Sequence, residues 1–190
     1  MSEFQTSLQQ AIAVFESLKE HEQNVEIAAR WCADALAANG KLLICGNGGG
    51  ASEAQHLAGE LMGRYKKNRA PLAAIALAAD TAILTCIGND YCFDDIFARQ
   101  VRALARPGDI LIVFTTSGNS PNVLAALRTT RDMGVRTIAF LGNEGGQARE
   151  LAGCALVVRH RDTARAQEGH QFLMHCLMDR IEDILALPTE

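Results

Sequence analysis

The 190-residue chain is 48% apolar and 21% charged, enough to bury a full hydrophobic core and too apolar for wholesale disorder. Its net charge of −4 argues against nucleic-acid binding by bulk electrostatics. No apolar run reaches the roughly 18 residues needed to span a bilayer. The opening MSEFQTSLQQ lacks a basic stretch followed by an apolar one, so a cytoplasmic protein is expected.

Residues 1–39 read as a helical extension, two helices hinged near His21 to Asn24. Phe4, Leu8, Ile12, Phe15 and Leu18 recur at helical spacing, as do Ile27, Ala28, Trp31, Ala35 and Ala38. The first helix has no evident place against a sheet, which makes contact with a second subunit its expected role. Residues 40–190 alternate short β-rich runs with amphipathic helices. Expected strands are Leu42–Cys45, Ala73–Leu77, Asp109–Phe114, Thr137–Leu141 and Ala155–Val158. Expected helices lie near Ala51–Lys66, Thr81–Ile87, Asp95–Ala105, Pro121–Met133, Gly146–Leu151 and Ala164–Leu185. This order predicts one α/β domain over 1–190, a doubly wound five-stranded parallel sheet covered on both faces. Ligands bind such sheets beyond the carboxyl ends of the strands.

Three loops stand out there. Gly46-Asn47-Gly48-Gly49-Gly50 joins the first strand to a helix, leaving free N–H groups and a positive dipole end that suit an anion. Thr115-Thr116-Ser117-Gly118-Asn119-Ser120-Pro121 follows the third strand, with Ser120 expected to N-cap a helix that begins at Pro121. Gly88-Asn89-Asp90 is expected as a loop after the second strand and its turn. Serine and threonine cap helices everywhere, so the hydroxyl loop alone means little. Two such loops at strand ends of one sheet predict a phosphorylated ligand.

His56 and Glu60 share a helical face, placed to hold a metal or act as acid and base; an exposed pair that merely supports its helix is the plainer alternative. Gln167 and His175, eight apart, lie about 80° from each other round the last helix and can line one concavity. His170 reads as a surface or interface residue, and His21 and His160 as solvated. The run from Arg64 to Arg69 reads as a solvated helix end, with Arg64 best placed to meet a phosphate. The six scattered cysteines form no CxxC pair and read mostly as reduced core residues, with a zinc site as a remote alternative.

Taken together, these residues make the chain resemble the sugar isomerase (SIS) domain family along nearly its whole length, in its phosphoheptose isomerase branch. The resemblance rests on CGNGGGASEAQHLAGELMGRY, IGNDY, TTSGNSPN and RAQEGHxxxxH. It implies interconversion of sedoheptulose 7-phosphate and D-glycero-D-manno-heptose 7-phosphate, toward activated heptose for lipopolysaccharide or surface glycans. It implies a homotetramer with sites at subunit contacts and one Zn2+ per subunit on His56, Glu60, Gln167 and His175. Substrate contacts are implied for Asn47, Gly48, Gly49, Asn89, Asp90, Thr115, Thr116, Ser117, Ser120 and Gln167, joined by Ser52, Glu60 and Arg64. The chain departs from the pattern in three places. Gly50 stands where serine is usual, leaving Ser52 to supply the hydroxyl; Thr115 stands where serine is commoner; and Arg69-Ala70-Pro71 replaces an Arg-Pro step.

Aldose–ketose isomerisation moves a proton between neighbouring carbons through an enediol, with Glu60 expected as base and His175 as acid. A non-catalytic SIS protein that binds a partner, such as a replication initiator, is the alternative; such relatives look similar across the loops but lack the glutamate and the last-helix histidine. A dinucleotide oxidoreductase is disfavoured, because Gly46-x-Gly48-x-x-Ala51 lacks an acidic residue closing the next strand about 20 residues on.

Overall fold

The computed structural model describes residues 1–186 and contains a five-stranded, all-parallel sheet in the order β2-β1-β3-β4-β5. The strands are β1 (Leu42–Gly46), β2 (Ala74–Ala76), β3 (Ile110–Thr115), β4 (Arg136–Gly142) and β5 (Cys154–Val158). The helices are α1 (Glu3–Ser17), α2 (Glu22–Ala37), α3 (Gly49–Met62), α4 (Thr81–Asp90), α5 (Ile96–Leu104), α6 (Pro121–Asp132), α7 (Gly146–Leu151) and α8 (Thr163–Leu185).

Strand residues alternate between two cores, as the pleat requires. Leu42, Ile44, Ile110, Ile112, Phe114, Ile138 and Phe140 meet α2, α3, α8 and the end of α1. Leu43, Cys45, Leu111, Val113, Ala139 and Leu141 meet α5, α6 and α7. Every residue of β1 and β3 is buried, which accounts for their nearly unbroken apolar runs. The chain moves from β1 outward to β2, then returns to place β3 on the other side of β1. That reversal opens a crevice at the carboxyl ends of β1 and β3, the ligand position of a doubly wound sheet. Gly46 of β1 pairs in register with Phe114 of β3, so the two unusual loops leave the sheet side by side.

Several expectations change. The hinge between α1 and α2 is a 3-10 turn at Leu18–His21, slightly earlier than expected. His21 is buried there, its Nε2 3.0 Å from the Val157 carbonyl oxygen, and is not solvated. His170 is fully buried rather than a surface residue, because α8 lies across the sheet and sets it against the stacked Phe114–Phe140 pair. His160 is half-buried, its Nδ1 accepting from the Asp162 N–H at 3.0 Å. Gly88-Asn89-Asp90 is the last turn of α4 and not a loop. Helix α3 stops at Met62, with Gly63 beyond it, instead of running to Lys66. The basic run turns away to α8, where Lys66 meets Asp179 at 2.6 Å, Lys67 meets Asp183 at 2.7 Å and Arg69 meets Glu182 at 2.9 Å. Cys32, Cys45 and Cys154 are core residues, but Cys86 and Cys92 are exposed, each Sγ 3.5 Å from a neighbouring aspartate.

Candidate active site

The β1 loop is shaped by glycine. Gly48 has φ of 54°, a left-handed value that favours a residue without a Cβ. A Cβ on Gly46 would lie 2.7 Å from the Gly50 carbonyl oxygen, and one on Gly49 would run into the Gln167 amide. Gly50 sits 2.9 Å from the Phe114 carbonyl oxygen at its would-be Cβ, so its missing side chain goes with the close approach of α3 to β3. Ser52 is exposed one turn on and lines a depression with Gly49, His56 and Gln167, where its hydroxyl is available.

The β3 loop gathers hydroxyls. Thr115 Oγ1 lies 3.4 Å from Ser117 Oγ and 3.3 Å from Ser120 Oγ, and accepts from the Gly118 N–H at 3.2 Å. Ser120 precedes α6, as expected, but makes no capping bond to it; its hydroxyl turns toward Thr115 instead. Asn47 and the buried Asn122 bridge the two loops by reciprocal amide hydrogen bonds of 2.8 Å. Asn47, Gly50, Thr115, Thr116, Ser120 and Gln167 line one narrow cleft with Glu53 and Phe114. Such a cleft, with backbone N–H groups on one side and hydroxyls on the other, suits a phosphate.

Beyond it, α3 and α8 bring three titratable side chains together. His56 Nε2 is 3.0 Å from Glu60 Oε1, and a ligand atom from each of His56, Glu60 and His175 lies within 4.8 Å of the others. All three are half-buried. The Gln171 amide donates to His56 Nδ1 at 2.9 Å, which leaves the proton on Nε2, directed at Glu60. The His175 ring packs edge-on to His56 at 5.3 Å and stacks on Tyr65 at 5.8 Å. Two imidazoles and a carboxylate are a donor set that suits zinc, and the cluster can hold a divalent ion. Gln167 is one turn before Gln171 on the same side of α8 and shares the depression with His56.

Sequence reasoning missed Gln171, Tyr65, Asn122 and Arg69. Tyr65 and Asn122 were inside recognised motifs; Gln171 lies four residues from both Gln167 and His175, a spacing that places it between them. Arg69 is buried and donates to the carbonyl oxygens of Glu60 and Leu61 at 2.7 and 2.9 Å, tying down the end of α3 that carries Glu60. The structure does not bring Asn89, Asp90 or Arg64 into this crevice. Asn89 and Asp90 are exposed and hydrogen-bonded to each other at 2.8 Å. Arg64 is exposed beyond α3.

Residues 7–142 match the SIS domain family. The phosphoheptose isomerase of Paramagnetospirillum magneticum is 52% identical over 155 residues, which cover 82% of this chain and 81% of that one. That of Geobacter sp. strain M21 is 50% identical over 163 residues, covering 86% and 85%. Among solved structures, the phosphoheptose isomerase GmhA of Neisseria gonorrhoeae superposes with a TM-score of 0.89 at 38% identity, covering 95% of this chain and 97% of that one. A phosphoheptose isomerase from Francisella tularensis does so with 0.89 at 34% identity, covering 96% and 100%. The chain therefore belongs to the SIS domain family, in its phosphoheptose isomerase branch.

Proposed function

We propose that this protein interconverts sedoheptulose 7-phosphate and D-glycero-D-manno-heptose 7-phosphate, supplying heptose for lipopolysaccharide or surface glycans. The observation that carries the reading is the convergence of His56, Glu60 and His175 beside a phosphate-shaped cleft. The non-catalytic alternative gives no role to that convergence.

Asn47, Gly48 and Gly49 from one loop, with Thr115, Thr116, Ser117 and Ser120 from the other, hold the phosphate and fix the sugar in orientation. Ser52 and Gln167 line the way from the cleft to His56. The Glu60 carboxylate, whose Oε1 lies 3.0 Å from His56 Nε2, takes the proton from the carbon beside the carbonyl and returns it to the neighbouring carbon. His175, fixed by its stack on Tyr65, gives a proton to the carbonyl oxygen and recovers one from the adjacent hydroxyl. Each transfer is the kind that contributes about 10²–10⁴-fold. His56, Glu60, Gln167 and His175 are the residues that would hold one Zn2+ per subunit, and the ion supplies electrophilic polarisation of substrate oxygens. Asn89, Asp90 and Arg64, outside the crevice of their own chain, are assigned to substrate binding across a subunit contact in a cytoplasmic homotetramer.

The test is turnover of sedoheptulose 7-phosphate by purified protein, before and after chelation and with zinc restored. Activity that falls on chelation and returns with zinc is expected. Glu60→Gln and His175→Gln, with helix content unchanged, are expected to lose about 10²–10⁴-fold in kcat. Near-normal rates in either variant would remove that residue from the mechanism, and a wild-type protein that is folded, metal-loaded and inactive would end the isomerase reading.

A further inference from the structure

Glu53 has no part in the chemistry above, yet it stands where the two halves of the crevice meet. It lies on α3 one turn before His56, lining both the cleft with Thr115 and Ser120 and the depression with His56, Gln167 and Gln171. Its side chain is only 7% exposed, and neither carboxylate oxygen has a hydrogen-bond partner among the described residues. Behind it lies His170, fully buried, its Nδ1 3.7 Å from Glu53 Oε2 and both ring nitrogens also without a partner. Phe114 and Phe140, stacked on each other at 4.6 Å, lie together on one side of that imidazole at ring distances of 6.1 and 6.2 Å. Burying a carboxylate without hydrogen bonds is costly, so such a group is retained where something else completes it.

We propose that Glu53 is the substrate's polyol-binding residue, its carboxylate accepting hydrogen bonds from the hydroxyls between the phosphate and the reacting carbons, with His170 as the positioning residue behind it. The proposal rests on the phosphorylated-sugar reading of the crevice. It follows from chemistry and place. A carboxylate is purely an acceptor when ionised, and the hydroxyl-bearing middle of a sugar phosphate offers several donors. The cleft at one end of Glu53 suits the phosphate, and His56 at the other end belongs to the reacting cluster, so what passes Glu53 is the part of the ligand in between. His170 packs against the stacked Phe114–Phe140 pair and has no polar neighbour other than Glu53 among its described contacts. It can therefore fix where that carboxylate points.

The experiment titrates three ligands into wild-type, Glu53→Gln and His170→Gln protein by calorimetry: sedoheptulose 7-phosphate, inorganic phosphate and a simple alkyl phosphate. Losing a hydrogen bond to a charged group costs about tenfold or more in affinity. Glu53→Gln is therefore expected to weaken sedoheptulose 7-phosphate at least tenfold while leaving inorganic and alkyl phosphate within about twofold. In turnover, KM should rise more than kcat falls, and bound zinc should be unchanged. His170→Gln is expected to weaken the sugar phosphate alone, by several-fold, and it decides the matter if Glu53→Gln does not fold. Equal losses for all three ligands, or none for the sugar phosphate, would overturn the proposal. Because binding is read without turnover, a wild type that binds the sugar phosphate through Glu53 but does not isomerise it would end the isomerase reading and leave this one standing.

Discussion

Asn47 and Asn122 are 75 positions apart, yet each amide donates to the other's carbonyl oxygen at 2.8 Å. Asn122 is almost wholly buried, and its oxygen also accepts from the Val123 N–H at 2.9 Å. One side chain thus joins the glycine loop to the start of α6 and keeps the two walls of the phosphate cleft at a fixed separation. Asn122→Ala removes both amide bonds and leaves Asn47 without its partner. It is expected to cost about 1–3 kcal/mol of stability in chemical denaturation. It should also raise KM for the sugar phosphate with less effect on kcat, since no proton-transfer group is touched. Thiol chemistry gives a second check at this scale. Burial pushes the Cys32 and Cys45 thiols far above the usual range and raises Cys154 to about 11, so all three stay protonated at neutral pH. Alkylation followed by mass spectrometry is expected to mark Cys86 and Cys92 in the folded protein and these three only on unfolding. The Asp90 carboxylate holds the Cys86 thiol above its ordinary value. Asp90→Asn lowers it, raises the thiolate fraction at pH 7 and should speed alkylation of Cys86.

Helix α8 decides more of the molecule than its sequence suggests, because residues on different sides of it serve the core, the site and the basic run. Its hydrophobic residues Leu173, Met174, Leu177, Met178 and Ile181 are buried on the sheet, while Gln167, Gln171 and His175 line up toward α3. Near its end Glu182 is nearly fully buried against Arg69, each side chain 2% exposed or less. Arg69→Met strands that carboxylate and also frees the carbonyl oxygens at the end of α3, so a loss of about 3–5 kcal/mol in unfolding free energy is expected. Arg69→Met combined with Glu182→Leu should recover part of it, and a double variant no more stable than Arg69→Met would show that the carbonyl contacts, not the ion pair, dominate. The strands and most helices were legible within a residue or two, since apolar periodicity reports which side of an element is covered. The ends were less so. Gly88 and Asn89 looked like breakers, but a Cβ on Gly88 would meet nothing within 4 Å, so α4 simply continues over an open surface to Asp90. The burial of His21 and His170 was invisible for another reason: it depends on which segment lies across them, Val157 for one and the Phe114–Phe140 pair for the other. Local periodicity carries no such information. The nearness of His56, Glu60 and His175 was readable because helical spacing fixes one face at a time, and the family resemblance joined the two faces.

At the scale of the molecule, α1 has an apolar face that the described chain leaves largely uncovered. Phe4, Leu8, Ile12 and Phe15 are 76%, 50%, 50% and 42% exposed, and Val14 is its one buried residue. Phe15 packs edge-on to Phe172, itself 44% exposed, so the face continues onto α8, the helix that also carries Gln167 and His175. Isolated monomers seldom leave such a continuous apolar surface to water. Burial between copies would account for the face under the proposed tetramer, in which Asn89 and Asp90 of one chain are assigned to the crevice of another. Leu8→Glu with Ile12→Glu is expected to shift the protein to smaller species in sedimentation, with helix content retained and turnover lost. A sharper test separates a shared site from a merely associated one. Glu60→Gln and Asp90→Ala are each expected to be inactive alone. Denatured together and refolded, they form mixed oligomers in which a contact between the two kinds of subunit can pair an intact Glu60 with an intact Asp90. Recovery of activity in the mixture, absent when either variant is refolded by itself, is the outcome expected if Asp90 serves a neighbour. If each chain supplies its own Asp90, every site in the mixture keeps one defect and the mixture stays inactive, which would return Asp90 to its own subunit and remove the reason for placing the site at a subunit contact.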